Sequence, residues 1–238
     1  MITREDIIHY LSGTADEELF ALSGHAKQST VGQKVYLRGL VELSNRCDKN
    51  CYYCGIRHAN LSVERYTLLA QDVLQAAQYA LSQGYGSLVL QAGERRDEHF
   101  IAFVEELLHS ISQLGDRALG VTLSIGEQSA ATFARWRNAG AKRYLLRMES
   151  FNRELYATLH PAGHSWSQRR ACLDLLREAD YQVGTGVMIG LPGQSLGDLA
   201  DDLLSMVALD IDMCGMGPYV EHSAAPLSVH ASPYAVKE

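Results

Sequence analysis

Short apolar runs alternate with longer amphipathic stretches from residue 35 onward, and this alternation constrains the fold more than any other feature of the sequence. Six of the runs have strand-like character, and they are centred near residues 38, 89, 122, 145, 186 and 216. Stretches with helical periodicity separate them. Such a succession is typical of β–α–β units, whose strands form a parallel sheet. We therefore predict an α/β fold, and periodicity alone leaves both a barrel and an open sheet as alternatives.

The chain divides into three predicted parts. Residues 1–34 form a helical extension, in which Thr3 and Asp6 have the spacing of a capping box. Residues 35–220 contain the alternating units. Residues 221–238 lack periodicity, and we predict an irregular C-terminal tail there. A helix should follow the sixth strand and none is visible, so either the chain is truncated at its C-terminus or the tail is a poorly ordered end.

The charge balance excludes several classes of partner. Lys and Arg total 21 against 28 Asp and Glu, which gives a net charge of −7. This balance provides no electrostatic footprint for nucleic acid or for an anionic membrane surface. No apolar run approaches the roughly 20 residues of a membrane helix, and the N-terminus lacks a signal-peptide core. We predict a cytoplasmic protein that binds neither nucleic acid nor membrane.

Three of the five cysteines lie close together, as Cys47, Cys51 and Cys54, in a polar segment directly after the first predicted strand. In a reducing compartment such crowding indicates metal binding rather than disulfides. Three thiolates can hold a four-iron cluster and leave one iron open to a small ligand. A structural zinc site with His58 as the fourth ligand is the alternative, and simple buried thiols are another.

The remaining cysteines and several histidines carry no predicted chemistry. Cys172 lies in an apolar helical stripe and Cys214 in the last predicted strand, so both are expected in the core. Four histidines lie on predicted loops or in the tail, where a lone imidazole is ordinarily solvated. We assign no role to His160, His164, His222 or His230.

The cysteine segment resembles a known enzyme family. The pattern Cys-x₃-Cys-x₂-Cys, with Tyr53 directly before the third cysteine, is the signature of radical S-adenosylmethionine (SAM) enzymes. Its flanks, residues 38–46 and 55–57, are similar to those of FeFe-hydrogenase maturases of the HydE type. The similarity covers about residues 35–227 and is carried by the strand ends in segments 89–94, 121–127, 144–149, 186–194 and 215–218.

The resemblance implies a fold and a set of cofactor contacts. The fold would be a parallel (β/α) partial TIM barrel with about six β–α units. Cys47, Cys51 and Cys54 would hold a 4Fe–4S cluster that binds SAM at its open iron. Glu149 would pair with the SAM amine and Arg169 with its carboxylate. Further implied contacts to SAM come from Tyr53, Gln91 and Met188, and to the substrate from Thr122 and Arg147.

Each of these assignments has an ordinary structural alternative. Glu149 and Arg147 could form a strand-end salt bridge. Gln91 could cap a helix, and Thr122 could be a hydroxyl lining a barrel without a ligand. Arg169 could belong to a solvated helix face. Strand ends on one rim of a barrel are where ligand groups gather, which favours the functional alternative for the set.

The resemblance also implies a reaction and partners. A reduced cluster would cleave SAM to a 5′-deoxyadenosyl radical. The substrate would be a small iron–cysteine complex delivered by the maturase HydG, and the product would pass to the scaffold HydF. Three alternatives remain at this point: a biotin synthase-like enzyme, a methylornithine synthase-like enzyme, and a non-catalytic module that holds a metal through its cysteines.

Overall fold

The structure is a computed structural model that describes residues 2–115 and 119–229, and it confirms the predicted α/β fold. Six strands form one parallel sheet in the order β1-β2-β3-β4-β5-β7. A second, two-stranded sheet pairs β6 with β8. The strands are β1 (Gly39–Ser44), β2 (Ser87–Ala92), β3 (Gly120–Ser124), β4 (Ala141–Leu145), β5 (Gln182–Thr185), β6 (Met188–Ile189), β7 (Met213–Cys214) and β8 (Gly217–Pro218).

Helices connect successive strands of the six-stranded sheet, as the alternation predicts, and two further helices precede β1. They are α1 (Arg4–Leu11), α2 (Asp16–Thr30), α3 (Ala70–Ser82), α4 (Glu98–Ser112), α5 (Ala130–Asn138), α6 (Arg153–Leu159), α7 (Trp166–Glu178) and α8 (Leu196–Ala208). Six of these eight helices start at a short polar side chain that accepts a hydrogen bond from a free backbone N–H group, and the exceptions are α2 and α3. Thr3 and Ser195 form complete capping boxes, and Asp97 caps α4.

The sheet curls far enough to bring its two edge strands together. Arg38 immediately precedes edge strand β1, and its Nη1 lies 3.3 Å from the Sδ of Met213 on edge strand β7. Two residues on opposite edges of a flat six-stranded sheet would be more than 20 Å apart, since neighbouring strands are about 4.8 Å apart. The sheet is therefore a partial barrel.

The main core lies between the outer face of the sheet and helices α3, α4, α5 and α7. Leu90, Leu123 and Tyr144 project into it from successive strands, and each is fully buried. Trp136 on α5 is also fully buried, and its indole Nε1 donates to the carbonyl of Ile101 over 3.0 Å. This bond removes the cost of burying an indole N–H without a partner.

The structure differs from the sequence prediction in the last strands. The strand predicted near residue 186 forms two short strands, β5 and β6, and the strand predicted near residue 216 also forms two, β7 and β8. The chain leaves the main sheet because Val187 pairs with Glu149 instead. At this point a side chain on Gly186 would overlap the carbonyl of Gly215, so the two crossing segments can approach only with glycine there.

The two ends of the chain pack differently. Helix α1 packs against α8, where Arg4 pairs with Asp201 over 2.6 Å, whereas α2 contributes no buried residue. The predicted irregular tail contains a 3₁₀ helix (Pro226–Val229), and the N–H of Leu227 donates to the carbonyl of Tyr52 over 2.9 Å.

Residues 230–238 lie outside the described part, and His230 is among them. We propose domain boundaries after residues 34 and 220.

No helix in the described ranges is both long and apolar enough to cross a bilayer.

Candidate functional site

The three clustered cysteines line one cavity at the carboxyl ends of strands β1 to β4. The cavity has a volume of about 260 Å³. Its walls include a residue from the end of each of these strands, namely Ser44, Gln91, Ser124 and Leu145. The carboxyl-terminal rim is the face on which α/β barrels carry their active sites.

Backbone hydrogen bonds hold the cysteine segment against the barrel. The N–H of Asp48 donates to the carbonyl of Glu94, and the N–H of Tyr52 donates to the carbonyl of Leu159, both over 2.8 Å. A side chain at Gly93 would collide with the carbonyl of Arg46 and with Cβ of Cys47. Glycine at position 93 therefore lets the segment lie directly on the end of β2.

Burial raises the pKa of all three thiols, and that of Cys51 to about 12 despite the opposing charge of Arg169. Metal binding at these thiols must therefore release protons, as thiolate ligation generally does. All three thiols line one cavity that also contains a carboxylate and a guanidinium. This donor set fits a cluster that takes an amino-acid ligand at its open iron.

The structure offers less support for a zinc site. His58, the fourth ligand that zinc would need, does not line this cavity, and its Nδ1 lies 3.3 Å from the carbonyl of Cys47. Within residues 2–115 and 119–229, no three His, Cys, Asp or Glu side chains are placed to hold a single ion.

Glu149 presents a buried carboxylate to the cavity. It is 6% exposed and has a left-handed backbone, with φ of 67°. Its N–H donates to Gly186 over 3.0 Å, and its carbonyl accepts from Met188 over 3.2 Å. Its Oε2 is 3.2 Å from Nη2 of Arg147 but has no hydrogen bond. Burial raises the pKa of Glu149 against the charges of Arg147 and Arg169. Such a group suits a cationic amine ligand.

Arg169 is already oriented by the protein. It lies near the start of α7, and its side chain is 11% exposed. Nε donates to the carbonyl of Arg147 over 2.7 Å, and Nη1 donates to Oε1 of Glu127 over 3.0 Å. Nη2 has no hydrogen-bond partner within the described residues. The guanidinium therefore retains donor capacity for an anion.

Five charged residues beside the cysteines form a connected ionic cluster, which consists of Lys49, Glu94, Arg96, Glu127 and Arg169. Lys49 Nζ is 3.4 Å from Glu94 and 3.2 Å from Glu127. Arg96 contacts the same two carboxylates at 3.0 and 3.2 Å. Lys49, Glu94, Arg96 and Glu127 were not identified from the sequence. The one available signal was that Glu94 and Glu127 end two of the segments that carry the family resemblance.

The two carboxylates of the ionic cluster titrate differently. Burial and the neighbouring Glu127 raise the pKa of Glu94. Burial alone would raise the pKa of Glu127 as well, but the charges of Arg169 and Lys49 outweigh it and lower that pKa. Glu127 is therefore the ionised centre of the ionic cluster.

The structure brings most of the predicted site residues together. Eight of the ten line the cavity: Cys47, Cys51, Tyr53, Cys54, Gln91, Arg147, Glu149 and Arg169. Gln91 donates to Oε1 of Glu42 over 2.9 Å rather than capping a helix. Arg147 donates to the carbonyl of Val187 over 3.1 Å.

Two predicted site residues do not line the cavity. Met188 packs with Leu155, Leu159 and Leu191, and its N–H and carbonyl are engaged by Glu149 and Gln194. Thr122 alternates with the core residues Val121 and Leu123, so its side chain lies on the inner face of the sheet. Its hydroxyl is buried without a hydrogen-bond partner in the described part of the chain.

Two predictions about other residues were wrong. Cys214 is exposed rather than in the core, because it lies on edge strand β7. His160 is buried rather than solvated, and its ring stacks on Tyr156 with centroids 3.9 Å apart. Burial lowers the pKa of His160 to about 4. The guanidinium of Arg153 on α6 lies 4.2 Å from the ring centre of Trp166 on α7.

Known proteins are similar to this chain in sequence and in fold. HydE of the [FeFe] hydrogenase maturation system from Thermotoga maritima is 39% identical over 214 residues, which cover 90% of this chain and 60% of that protein. The crystal structure of methylornithine synthase (PylB) has a TM-score of 0.87 at 23% identity and covers 98% of this chain and 69% of that one. A crystal structure of HydG, a maturase of the [FeFe]-hydrogenase, has a TM-score of 0.80 at 22% identity. The match covers 93% of this chain and 50% of that one.

The chain thus spans about 60% of the length of this HydE relative. The two structural matches establish the fold alone. The model of the radical SAM superfamily matches residues 41–205, which is more than half of the chain and includes all three cavity cysteines. Members of that superfamily use a 4Fe–4S cluster and SAM. This chain belongs to the radical SAM superfamily.

Proposed function

We propose that this chain is a radical SAM enzyme of the HydE type and acts in assembly of the di-iron subcluster of FeFe-hydrogenase. The observation that carries the proposal is the shared cavity, in which three thiols face a buried carboxylate and an oriented guanidinium. Identity of 39% to a HydE protein supports the choice among radical SAM enzymes. When bound, the cluster and SAM supply one-electron cleavage chemistry that protein side chains lack.

The chain's own residues bind and orient SAM in this proposal. Cys47, Cys51 and Cys54 hold the cluster. The carboxylate of Glu149 pairs with the SAM amine, and Arg169 donates to the SAM carboxylate. Support comes from Glu149 Oε2, which is buried without a hydrogen bond, and from the unengaged Nη2 of Arg169.

Other predicted contacts take more limited roles. Gln91 and Tyr53 line the cavity and contact the amino-acid part of SAM in this proposal. Met188 can offer only its side chain toward adenine, because its backbone groups are engaged. Arg147 and Thr122 contact the substrate, with Thr122 on the inner face of the sheet below the cavity.

The substrate and partners follow from the relationship to HydE. We propose a small iron–cysteine complex supplied by HydG as the substrate, and transfer of the product to HydF. In this proposal the walls of the partial barrel shield a reactive intermediate from water and side reactions. The protein is proposed to act in the cytoplasm.

The test is anaerobic reconstitution with iron and sulfide, followed by dithionite and SAM, with 5′-deoxyadenosine as the measured product. Release above a Cys51→Ala control is the expected result. A reconstituted protein that carries zinc in place of iron and sulfide, and releases no 5′-deoxyadenosine, would contradict the proposal.

The maturation role needs its own measurement. Adding the active chain to HydG, HydF and hydrogenase that lacks its di-iron subcluster should restore hydrogen evolution, and the Cys51→Ala chain should not. SAM cleavage without restored hydrogenase would instead favour a biotin synthase-like or methylornithine synthase-like substrate.

A further inference from the structure

The ionic cluster connects two parts of the site that are distant in sequence. Lys49 lies between Cys47 and Cys51, on the segment that is proposed to hold the 4Fe–4S cluster. Its ammonium is 3.2 Å from Oε2 of Glu127. The other oxygen of the same carboxylate, Oε1, accepts from Nη1 of Arg169 over 3.0 Å. One buried carboxylate therefore contacts both the cysteine segment and the arginine proposed to bind SAM.

The surroundings leave Glu127 little freedom to move. It is 3% exposed, and its own N–H donates to Oε2 of Glu94 over 2.8 Å. Its carbonyl accepts from Nε of Arg96 over 3.1 Å. Burying this many charges has a large desolvation cost, and such groups often stabilise less than an apolar core would. The charged groups of the ionic cluster therefore serve to fix the relative positions of their side chains.

We propose that Glu127 is a positioning residue, which holds Arg169 in the orientation that receives the SAM carboxylate and, through Lys49, keeps the cysteine segment at a set distance from that arginine. The inference rests on the proposed function and extends it. Among the described residues, the one side-chain hydrogen bond that Arg169 would retain without Glu127 is that from Nε to the carbonyl of Arg147. A planar guanidinium held at one nitrogen can rotate, whereas one held at two cannot.

Glu127 could either balance the charge of its neighbours or position Arg169. These two roles predict opposite effects on SAM binding when Glu127 is changed, so an experiment can distinguish them. If Glu127 only balanced the charge of Arg169 and Lys49, its removal would leave more positive charge and strengthen binding of the SAM carboxylate. If it positions Arg169, removal weakens that binding. We expect Glu127→Ala to raise the Kd for SAM about tenfold. Glu127→Gln should raise it less, since its amide oxygen can still accept from Arg169.

The measurement is anaerobic calorimetry of SAM binding to the cluster-loaded protein, with iron content determined for each sample. Glu105→Ala and Glu105→Gln are the matched controls, because Glu105 pairs with Arg135 at 2.6 Å outside the cavity. Both controls should bind SAM as the unchanged protein does. In an Arg169→Lys background, Glu127→Ala should change the Kd less than about twofold, because the positioned group is gone.

The contribution of Lys49 has a separate readout. Removal of iron by a chelator should be about threefold faster for Lys49→Met than for the unchanged protein, since the cysteine segment loses its contact with Glu127. Lys34→Met, a change at an exposed lysine before β1, should have no effect. Equal rates for the two variants would overturn the part of the proposal that concerns Lys49.

The outcomes separate this inference from the function on which it rests. If the unchanged, cluster-loaded protein bound no SAM, the proposed function would fail and the inference with it. Normal binding by the unchanged protein, with Glu127→Ala and Glu127→Gln both equal to the Glu105 variants or tighter, would overturn the inference alone.

Discussion

The two sides of the cavity are held by different forces. On one side, defined here as the cysteine side, the segment 47–54 and the ends of β2 and β3 are joined by the ionic cluster. On the other, the glutamate side, Glu149 and the crossing segments 186–188 and 215 are joined by backbone contacts. The cysteine side thus has a network of ion pairs in addition to its backbone hydrogen bonds, whereas the glutamate side has the Arg147–Glu149 pair and depends mainly on close backbone approach.

The glutamate side contains a second buried carboxyl group, which has no ion pair within the described residues. Asp202 on α8 is fully buried, and its Oδ1 accepts from the N–H of Phe151 over 2.6 Å. Its Oδ2 has no partner within the described residues. Burial raises the pKa of Asp202 to about 6, against the opposing effect of the Phe151 amide. The segment after Glu149 is therefore held by a group that titrates in a mildly acidic range.

The largest effect is expected at the crossing of the glutamate side. Gly186→Ala places a methyl group on the carbonyl of Gly215, so the two segments must separate. We expect a loss of about 3 kcal/mol or more in the free energy of unfolding, at the upper end for overpacked sites. Urea denaturation measures it. A loss below about 1 kcal/mol would show that the crossing is not tight.

Asp202→Asn should remove the contribution of Asp202 to the pH dependence of stability. The folded protein binds the Asp202 proton more tightly than the unfolded chain does, because its pKa of about 6 exceeds the ordinary value of about 4. Stability from this group is therefore highest below pH 4 and falls as the pH rises through 6. Asparagine avoids this loss and can still accept from Phe151. At pH 8 we expect the variant to be more stable by at most about 3 kcal/mol.

Urea unfolding of Asp202→Asn across pH 4 to 8 measures this effect, with Asp174→Asn, at an exposed site on α7, as the control. The advantage of Asp202→Asn should be near zero at pH 4 and should develop mainly between pH 4 and 6. An advantage that does not vary with pH would be incompatible with a titrating Asp202.

Glu149→Gln should weaken SAM binding without lowering the stability of the fold. The change removes a buried charge whose pKa is raised by burial, so the free energy of unfolding at pH 7 should not decrease. Loss of the charge should weaken SAM binding about tenfold, equivalent to 1.4 kcal/mol. Calorimetry and urea unfolding of the same samples provide the two values. A variant that is destabilised but binds SAM normally would make Glu149 a structural residue.

The smallest effect is expected at Gly24, which serves as the reference for Gly186. Gly24 lies inside the exposed helix α2, and an added methyl group meets no atom within 4 Å. Alanine stabilises such a site by about 0.5–1 kcal/mol. Thermal unfolding should show a small rise in Tm. A fall in Tm would mean that α2 contacts more of the molecule than its exposure indicates.

Local and periodic features of the sequence predicted the fold and the cysteine side well. The strand succession and the helix cap at Thr3 depend on residues a few positions apart, and the structure confirms them. The cysteines could be grouped because they are neighbours in sequence. Gln91, Glu149 and Arg169 were expected together because of the family resemblance, and all three line the cavity.

Contacts between distant residues could not be predicted in this way. Lys49 and Glu127 are 78 positions apart, and neither lies in a pattern that indicates an ion pair. Helix α6 has only seven residues, too few for its apolar positions to form a recognisable stripe. His160, which directly follows α6, was placed on a solvated loop for the same reason. The burial of Asp202 depends on packing of α8 that periodicity does not reveal.

The placement of the two tryptophans makes the cavity observable by fluorescence. Trp136 is enclosed in the core and should emit at short wavelength with little response to ligands. Trp166 is half-buried and lies three positions before Arg169 on α7, one helical turn away. An iron–sulfur cluster absorbs where tryptophan emits, so its loading should quench Trp166 by energy transfer. In a Trp136→Phe chain the remaining emission would follow occupation of the site in real time.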